Sequence, residues 1–160
     1  MLTQNRINVC ETQGELFVLA ARKGFKCSEF IRKFMKSEIC QYIDEFDEDP
    51  YAYSHNPRKG ADVALKMSAE EIMEKLLHDE KISAASTDGE LYSEEIMRWA
   101  GWLYRYWHYY DRCRPSNKIW RKANGQMMKK CYDELHDLEP EQAIARLLEI
   151  SMNELWYTKR

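Results

Sequence analysis

A chain of 160 residues is long enough for one domain and can bury about two-thirds of its unfolded surface. Hydrophobic residues make up 44% and charged residues 32%, the balance of an ordinary globular protein, and a net charge of −3 excludes a wholesale electrostatic nucleic-acid binder. Aromatic residues reach 12%, so large rings must dominate a core or an interface, while four prolines and six glycines are too few for a many-turned β architecture.

The average charge hides an asymmetry. From Glu38 to Glu80 there are twelve acidic and four basic residues, and from Arg98 to Lys130 nine basic and one acidic. Either the two segments pack together and neutralise each other in part, or the second leaves a basic face open to an anionic partner. Five widely spaced cysteines without a C-x-x-C pair speak against a disulfide framework and against a structural zinc site. The apolar stretch Leu16 to Ala21 is too short for a signal-peptide core, and no run approaches the ~20 apolar residues of a membrane span. A reducing cytoplasm is the expected environment.

Leu16, Leu19 and Ala20 give a first, short apolar helix face that stops near Gly24. Ser28 can cap a second helix carrying Phe30, Ile31, Phe34, Ile39, Tyr42 and Ile43, with Glu29 complementing its dipole, and Pro50 ends any continuation. Residues 47–60 read as a loop. Its acidic run lacks the alternating ligands and central glycine of a calcium-binding EF-hand, so a solvated helix end is the better reading.

Ser68 and Glu71 form a capping box, opening a helix with Ile72, Met73, Leu76 and Leu77. A polar stretch at 81–89 separates it from a long helix expected from about Glu90 to Cys113, for which Thr87 to Glu90 offers a second, weaker box. After Pro115 a short helix can hold Ile119 and Trp120, and Asn124-Gly125 marks a turn. Two more helices are expected near 126–137 and 140–156, with Pro140 in the first turn of the second. No segment alternates with period two and no repeat is visible. The expectation is therefore an all-α, single bundle of six or seven helices (residues 1–160) around a central aromatic-rich helix.

That helix holds the candidate chemistry. Seven of the twelve residues from Trp99 to Tyr110 are aromatic, which normally marks a buried central helix. Arg98, Arg105 and Arg112 recur every seven residues and so share one side, with Gly101 and His108 between them and Trp102 and Tyr109 beside them. Glu94 stands one turn before Arg98 and can pair with it. Such a stripe is either a solvated face of arginines stacked on rings or a groove for an anion, since guanidinium forks grip phosphate and carboxylate bidentately.

Tyr104, His108 and Asp111 stand at i, i+4 and i+7, within reach of a general acid–base arrangement, and Cys113 follows His108 by five. No G-x-S-x-G, P-loop, H-E-x-x-H or dinucleotide fingerprint accompanies them, and a lone helical cysteine is usually a small buried hydrophobe. The basic stretch Arg112 to Lys130 has no persuasive helix-turn-helix pattern, leaving phosphate contact as its only nucleic-acid role. His55, His78 and His136 offer no metal-ligand spacing.

The string Trp99-Ala100-Gly101-Trp102-Leu103-Tyr104-Arg105-Tyr106-Trp107, followed by Lys118-Ile119-Trp120-Arg121-Lys122-Ala123, His136 and the Pro140 to Leu148 region, resembles a group of small bacterial helical proteins of toxin–antitoxin-like modules. The resemblance covers about residues 90–150, and Trp120 departs from the tyrosine usual in the group. Gly24 to Ile43 resembles a second small helical family of the same neighbourhoods through Phe34, Ile39, Tyr42 and Ile43. The resemblance implies an antitoxin or accessory partner that binds rather than catalyses, and it carries no catalytic residues. The expected function is thus non-catalytic binding of a protein partner in the cytoplasm, without cofactor or membrane. Arg98, Gly101, Trp102, Arg105, His108, Tyr109 and Arg112 are the expected surface. The alternatives are an anionic-ligand or nucleic-acid binder on the arginine face, and an enzyme centred on Tyr104, His108 and Asp111.

Overall fold

Five helices begin in the same way. Thr3, Ser37, Ser68, Ser93 and Asn124 each accept the backbone N–H three residues on, satisfying an amide that the first helical turn leaves without a partner. At Ser68 the reciprocal bond from its own N–H to Glu71 completes the expected capping box. A computed structural model describes residues 2–46, 57–80, 82 and 90–158.

Among the described residues there are nine helices and no strand: α1 Gln4–Arg22, α2 Cys27–Met35, α3 Glu38–Glu45, α4 Pro57–Ala64, α5 Ala69–Asp79, α6 Glu94–Tyr110, α7 Ser116–Lys122, α8 Gly125–Leu135 and α9 Pro140–Thr158. The chain is an all-α bundle with α6 at its centre, packed against α1, α7, α8 and α9.

Two of the nine were not expected. The single helix drawn through 28–43 breaks at Ser37, whose hydroxyl donates to the Phe34 carbonyl at 2.7 Å and accepts from the Cys40 amide at 3.1 Å. One side chain closes α2 and opens α3. Ser28 is not a cap either, since α2 starts at Cys27 after Lys26, which makes no side-chain cap bond. The loop drawn through 47–60 gives way to α4 from Pro57, and positions 47–56, with most of the acidic run, lie outside the described residues, as does the second capping box beginning at Thr87.

The long helix is shorter than expected. It starts after Ser93 and stops at Tyr110, because Arg112 and Cys113 both turn left-handed, with φ of 53° and 58°. Arg112 is therefore outside the helix whose stripe it was expected to continue.

The core is aromatic near the bundle's middle. Phe17 of α1 meets Phe30 and Phe34 of α2 edge-on at 5.5 and 5.6 Å, and Tyr104 of α6 packs on the same ring. The α1–α6 contact runs antiparallel, pairing Arg22 with Glu94 at one end and Arg6 with Tyr109 at the other. Two glycines set its closeness. A Cβ on Gly101 would stand 2.6 Å from the Gln13 carbonyl oxygen, and one on Gly14 3.1 Å from that of Arg98. Only hydrogen at position 101 lets the two backbones approach this far.

Candidate functional site

The inner side of α6 is a buried ionic cluster. Arg105 has no exposed surface. Its guanidinium donates to Asp44 at 2.6 Å, to the Gln13 side chain at 2.8 Å and to the Cys40 sulfur at 3.5 Å, reaching across from α6 to α3 and α1. Asp44 also accepts the Ser116 amide at 2.8 Å and its hydroxyl at 2.6 Å. Gln13 closes the circuit by donating to the Gly101 carbonyl.

Burial opposes ionisation of Asp44, but Arg105, His108 and the Ser116 bonds outweigh it and hold the carboxyl below its ordinary value. Burial likewise opposes the Arg105 charge and is overcome by Asp44, so both partners stay ionised. His108 follows its desolvation instead and is pushed below the ordinary imidazole value, with Asp44 only partly resisting at 3.8 Å. The Arg114 carbonyl lies 2.7 Å from His108 Nδ1, an acceptor that places the proton of the neutral ring on that nitrogen. Nε2 is buried without a partner among the described residues.

The acidic and basic segments of the chain therefore meet, through Asp44. The arginines are not one exposed face. Arg105 is sealed in the core, Arg98 pairs with Glu15 of α1 rather than with Glu94, and Glu94 pairs with Arg22. Gly101 and His108 are buried, Tyr109 is buried beneath Arg6, and only Trp102, Arg98 and Arg112 keep appreciable exposure. An anion entering from solvent would find Arg98 already neutralised and Arg105 out of reach.

The candidate acid–base constellation is dispersed in the same way. Tyr104 is fully buried and donates to the Ala123 carbonyl at 2.5 Å, His108 turns to Arg114, and Asp111 accepts from Arg114 at 2.5 Å. Each of the three is committed to a different structural bond.

The outer side of α6 carries a different set. Trp102, Tyr106 and Tyr110 form a ladder of stacked rings, at 5.1 Å and 14° for the first pair and 6.1 Å and 21° for the second. Tyr106 also donates to Glu141 of α9, and Tyr110 is 53% exposed. On the flank, Trp99 meets Tyr132 of α8 edge-on at 5.5 Å and 74°, and Tyr132 stacks on His136 at 4.4 Å.

Two open grooves border this face and share Arg98 and Trp102 as the ridge between them. One, of about 530 Å³, is lined by Glu94, Glu95, Trp99, Tyr132 and His136 as well as the ridge. The other, of about 560 Å³, runs between α1 and the start of α5 past Glu11, Glu15, Ser68 and Glu70.

Tyr132, His136 and Glu95 were not among the expected surface residues, and neither were Trp99, Tyr106 and Tyr110, which were expected in the core. Glu95, Trp99 and Trp102, at i, i+4 and i+7, would have marked this face from α6 alone, but Tyr132 and His136 arrive from a different helix. No disulfide links the five cysteines. Among the described residues no group of three His, Cys, Asp or Glu side chains converges as a metal site would need. No helix searched is long and apolar enough to cross a membrane. Compared with known protein families, curated proteins and solved structures, the chain matches none.

Proposed function

We propose that this chain works by binding a protein partner through the outer face of α6, acting in the cytoplasm as the antitoxin or accessory component of a toxin module. The observation that carries the binding reading is the half-buried ring ladder Trp102–Tyr106–Tyr110, flanked by Trp99 and two open grooves. Tryptophan and tyrosine concentrate interface energy because each covers a large area at little entropic cost, with a polar tip that remains bonded. Trp99, Trp102 and Tyr106 rest on the core yet keep part of their surface exposed, while Phe17, Tyr104 and Trp107 are fully buried on the inner side. The resemblance of residues 90–150 to proteins of toxin–antitoxin-like modules supplies the kind of partner.

Binding rather than catalysis is favoured because Tyr104 and His108 are buried and bonded to backbone carbonyls. The test is affinity capture from the native host with tagged wild-type protein and Trp102→Glu, the fold of each checked by circular dichroism. A stoichiometric protein held by the wild type and lost from the variant is the expected result. Equal capture by both, or none by the wild type, would overturn the reading.

A further inference from the structure

We propose that the groove beside Trp99 receives an arginine side chain from a basic segment of the partner protein; the proposal rests on the partner-binding reading above and specifies its chemistry. Trp99 and Tyr132 meet edge-on at 74° with centroids 5.5 Å apart, His136 covers one face of Tyr132 at 4.4 Å, and Trp102 borders the same groove of about 530 Å³. A planar guanidinium can lie on one face while its N–H edge turns to a carboxylate.

The charges around the groove select the sign of the occupant. Glu95 lies one turn before Trp99, and among the described residues no hydrogen-bond donor or cation is paired with it. Burial raises the Tyr132 hydroxyl, and Glu95, Asp133 and Asp137 raise it further, so three carboxylates act on that one ring. Arg98, the arginine in the lining, is engaged by Glu15 across the ridge, and Glu94 by Arg22. Asp137 is engaged by His136 at 3.3 Å, so an anion placed here would face the Glu95 carboxylate and the negative faces of the rings. A cation would gain from both. This is the opposite polarity to the anion-binding stripe expected from the arginine spacing, because Arg98 and Arg105 are neutralised within the fold and Arg112 lies outside the helix.

The experiment titrates the intact protein with a short capped arginine–glycine peptide and follows the tryptophan indole N–H resonances. Two matched peptides carry citrulline or glutamate in place of arginine. The expected result is saturable binding of the arginine peptide, a shift at the Trp99 indole and weakening at high salt. The citrulline peptide, which keeps the shape and loses the charge, should not bind. Glu95→Gln and Trp99→Leu should each weaken binding by about tenfold, the scale of one desolvated cation–π or charge-assisted contact. Glu95→Gln replaces an exposed side chain and so keeps the test independent of folding, while Glu74→Gln, exposed on α5 outside both grooves, should leave affinity unchanged.

Absence of saturable binding, equal binding of the citrulline or glutamate peptide, or wild-type affinity in Glu95→Gln would each overturn the proposal. The two readings fail separately. Peptide binding at Trp99 with no host protein lost from Trp102→Glu would remove the partner reading and keep the groove's chemistry. A host partner held by the wild type and lost from Trp102→Glu, alongside a silent groove, would do the reverse.

Discussion

Arg98 and Arg105 occupy the same helix seven residues apart, yet one ends in a surface pair with Glu15 and the other in the core with Asp44. Seven residues fall only about 20° short of two full turns, so the helix alone gives both nearly the same direction. What separates them is α1, which crosses α6 at Gly14 and Gly101 and lies over the second arginine but only beside the first. The two sides of α6 differ in consequence. The inner side is a buried ionic cluster in which Arg105 and Asp44 bond across α1, α3, α6 and α7, and the outer side is a set of partly exposed rings and carboxylates. Residues of the same chemical kind are sealed in the core on one side and left at the surface on the other, and a crossing helix decides which.

The largest effect should come from breaking the inner cluster. Asp44→Ala strands the Arg105 guanidinium in a fully buried site and removes the acceptor of two Ser116 bonds. Loss of one partner from a buried ion pair typically costs about 3–5 kcal/mol, which urea unfolding would read directly. A loss below about 1 kcal/mol would mean that water reaches the cluster, and that the contrast with Arg98 is smaller than the geometry says.

Gly101→Ala attacks the crossing itself. Its Cβ would lie 2.6 Å from the Gln13 carbonyl oxygen and 2.8 Å from the Phe17 ring, so α1 has to move. Overpacking of this kind costs about 1–3 kcal/mol, set against the higher helix propensity of alanine. Gly14→Ala, with 3.1 Å available, should cost less. If the two substitutions behaved alike, the close approach would not be centred on Gly101.

His108 supplies a pH test of the same region. Its folded pKa is lowered by burial, so the unfolded chain binds more protons and stability rises with pH across the interval between the two values. Its contribution is present above the unfolded value near 6.5 and is lost as pH falls from there toward the folded value. Asp44, lowered below its ordinary 3.8 because Arg105 outweighs desolvation, adds a second loss only below about pH 4. The urea midpoint should therefore hold between pH 7 and 8 and decline below about 6.5, by at most about 1.4 kcal/mol per pH unit from one imidazole. His108→Gln should flatten that decline while leaving the acid limb of Asp44. An unchanged slope in the variant would place the titrating group elsewhere.

Much of the fold was legible because helix starts are local chemistry. The Ser68 box, the Asn124 turn and Pro140 at the head of α9 each follow from neighbouring residues. The break at Ser37 was hidden, since the apolar spacing from Phe30 to Ile43 runs on across it and a lone serine is compatible with a continuous helix. Arg105 was misplaced for a different reason. Its environment is made by Gln13 and Asp44, 92 and 61 positions away, and no local period contains that information. On the outer face only Trp102 was in the expected set; Trp99, Tyr106 and Tyr110 read as core because an all-round aromatic helix looks buried, and Tyr132 and His136 are added by the packing of α8.

The smallest effect should come from the other arginine. Glu15→Ala removes the partner of Arg98, but both side chains of that pair are about half exposed, at 50% and 49%. Water then solvates whatever charge is left behind, and pairs of this kind contribute about 0.2–1 kcal/mol, less at high salt. Against the Asp44 variant the expected difference is severalfold, although both substitutions remove a carboxylate from an arginine of α6. The substitution has a second consequence that stability does not report. It frees Arg98 beside Trp99 and Trp102 and adds an uncompensated positive charge to a groove whose carboxylates were left in excess. Affinity for the arginine peptide should fall in Glu15→Ala while the urea midpoint barely moves. A midpoint shift as large as that of Asp44→Ala would erase the distinction between the two sides of the helix.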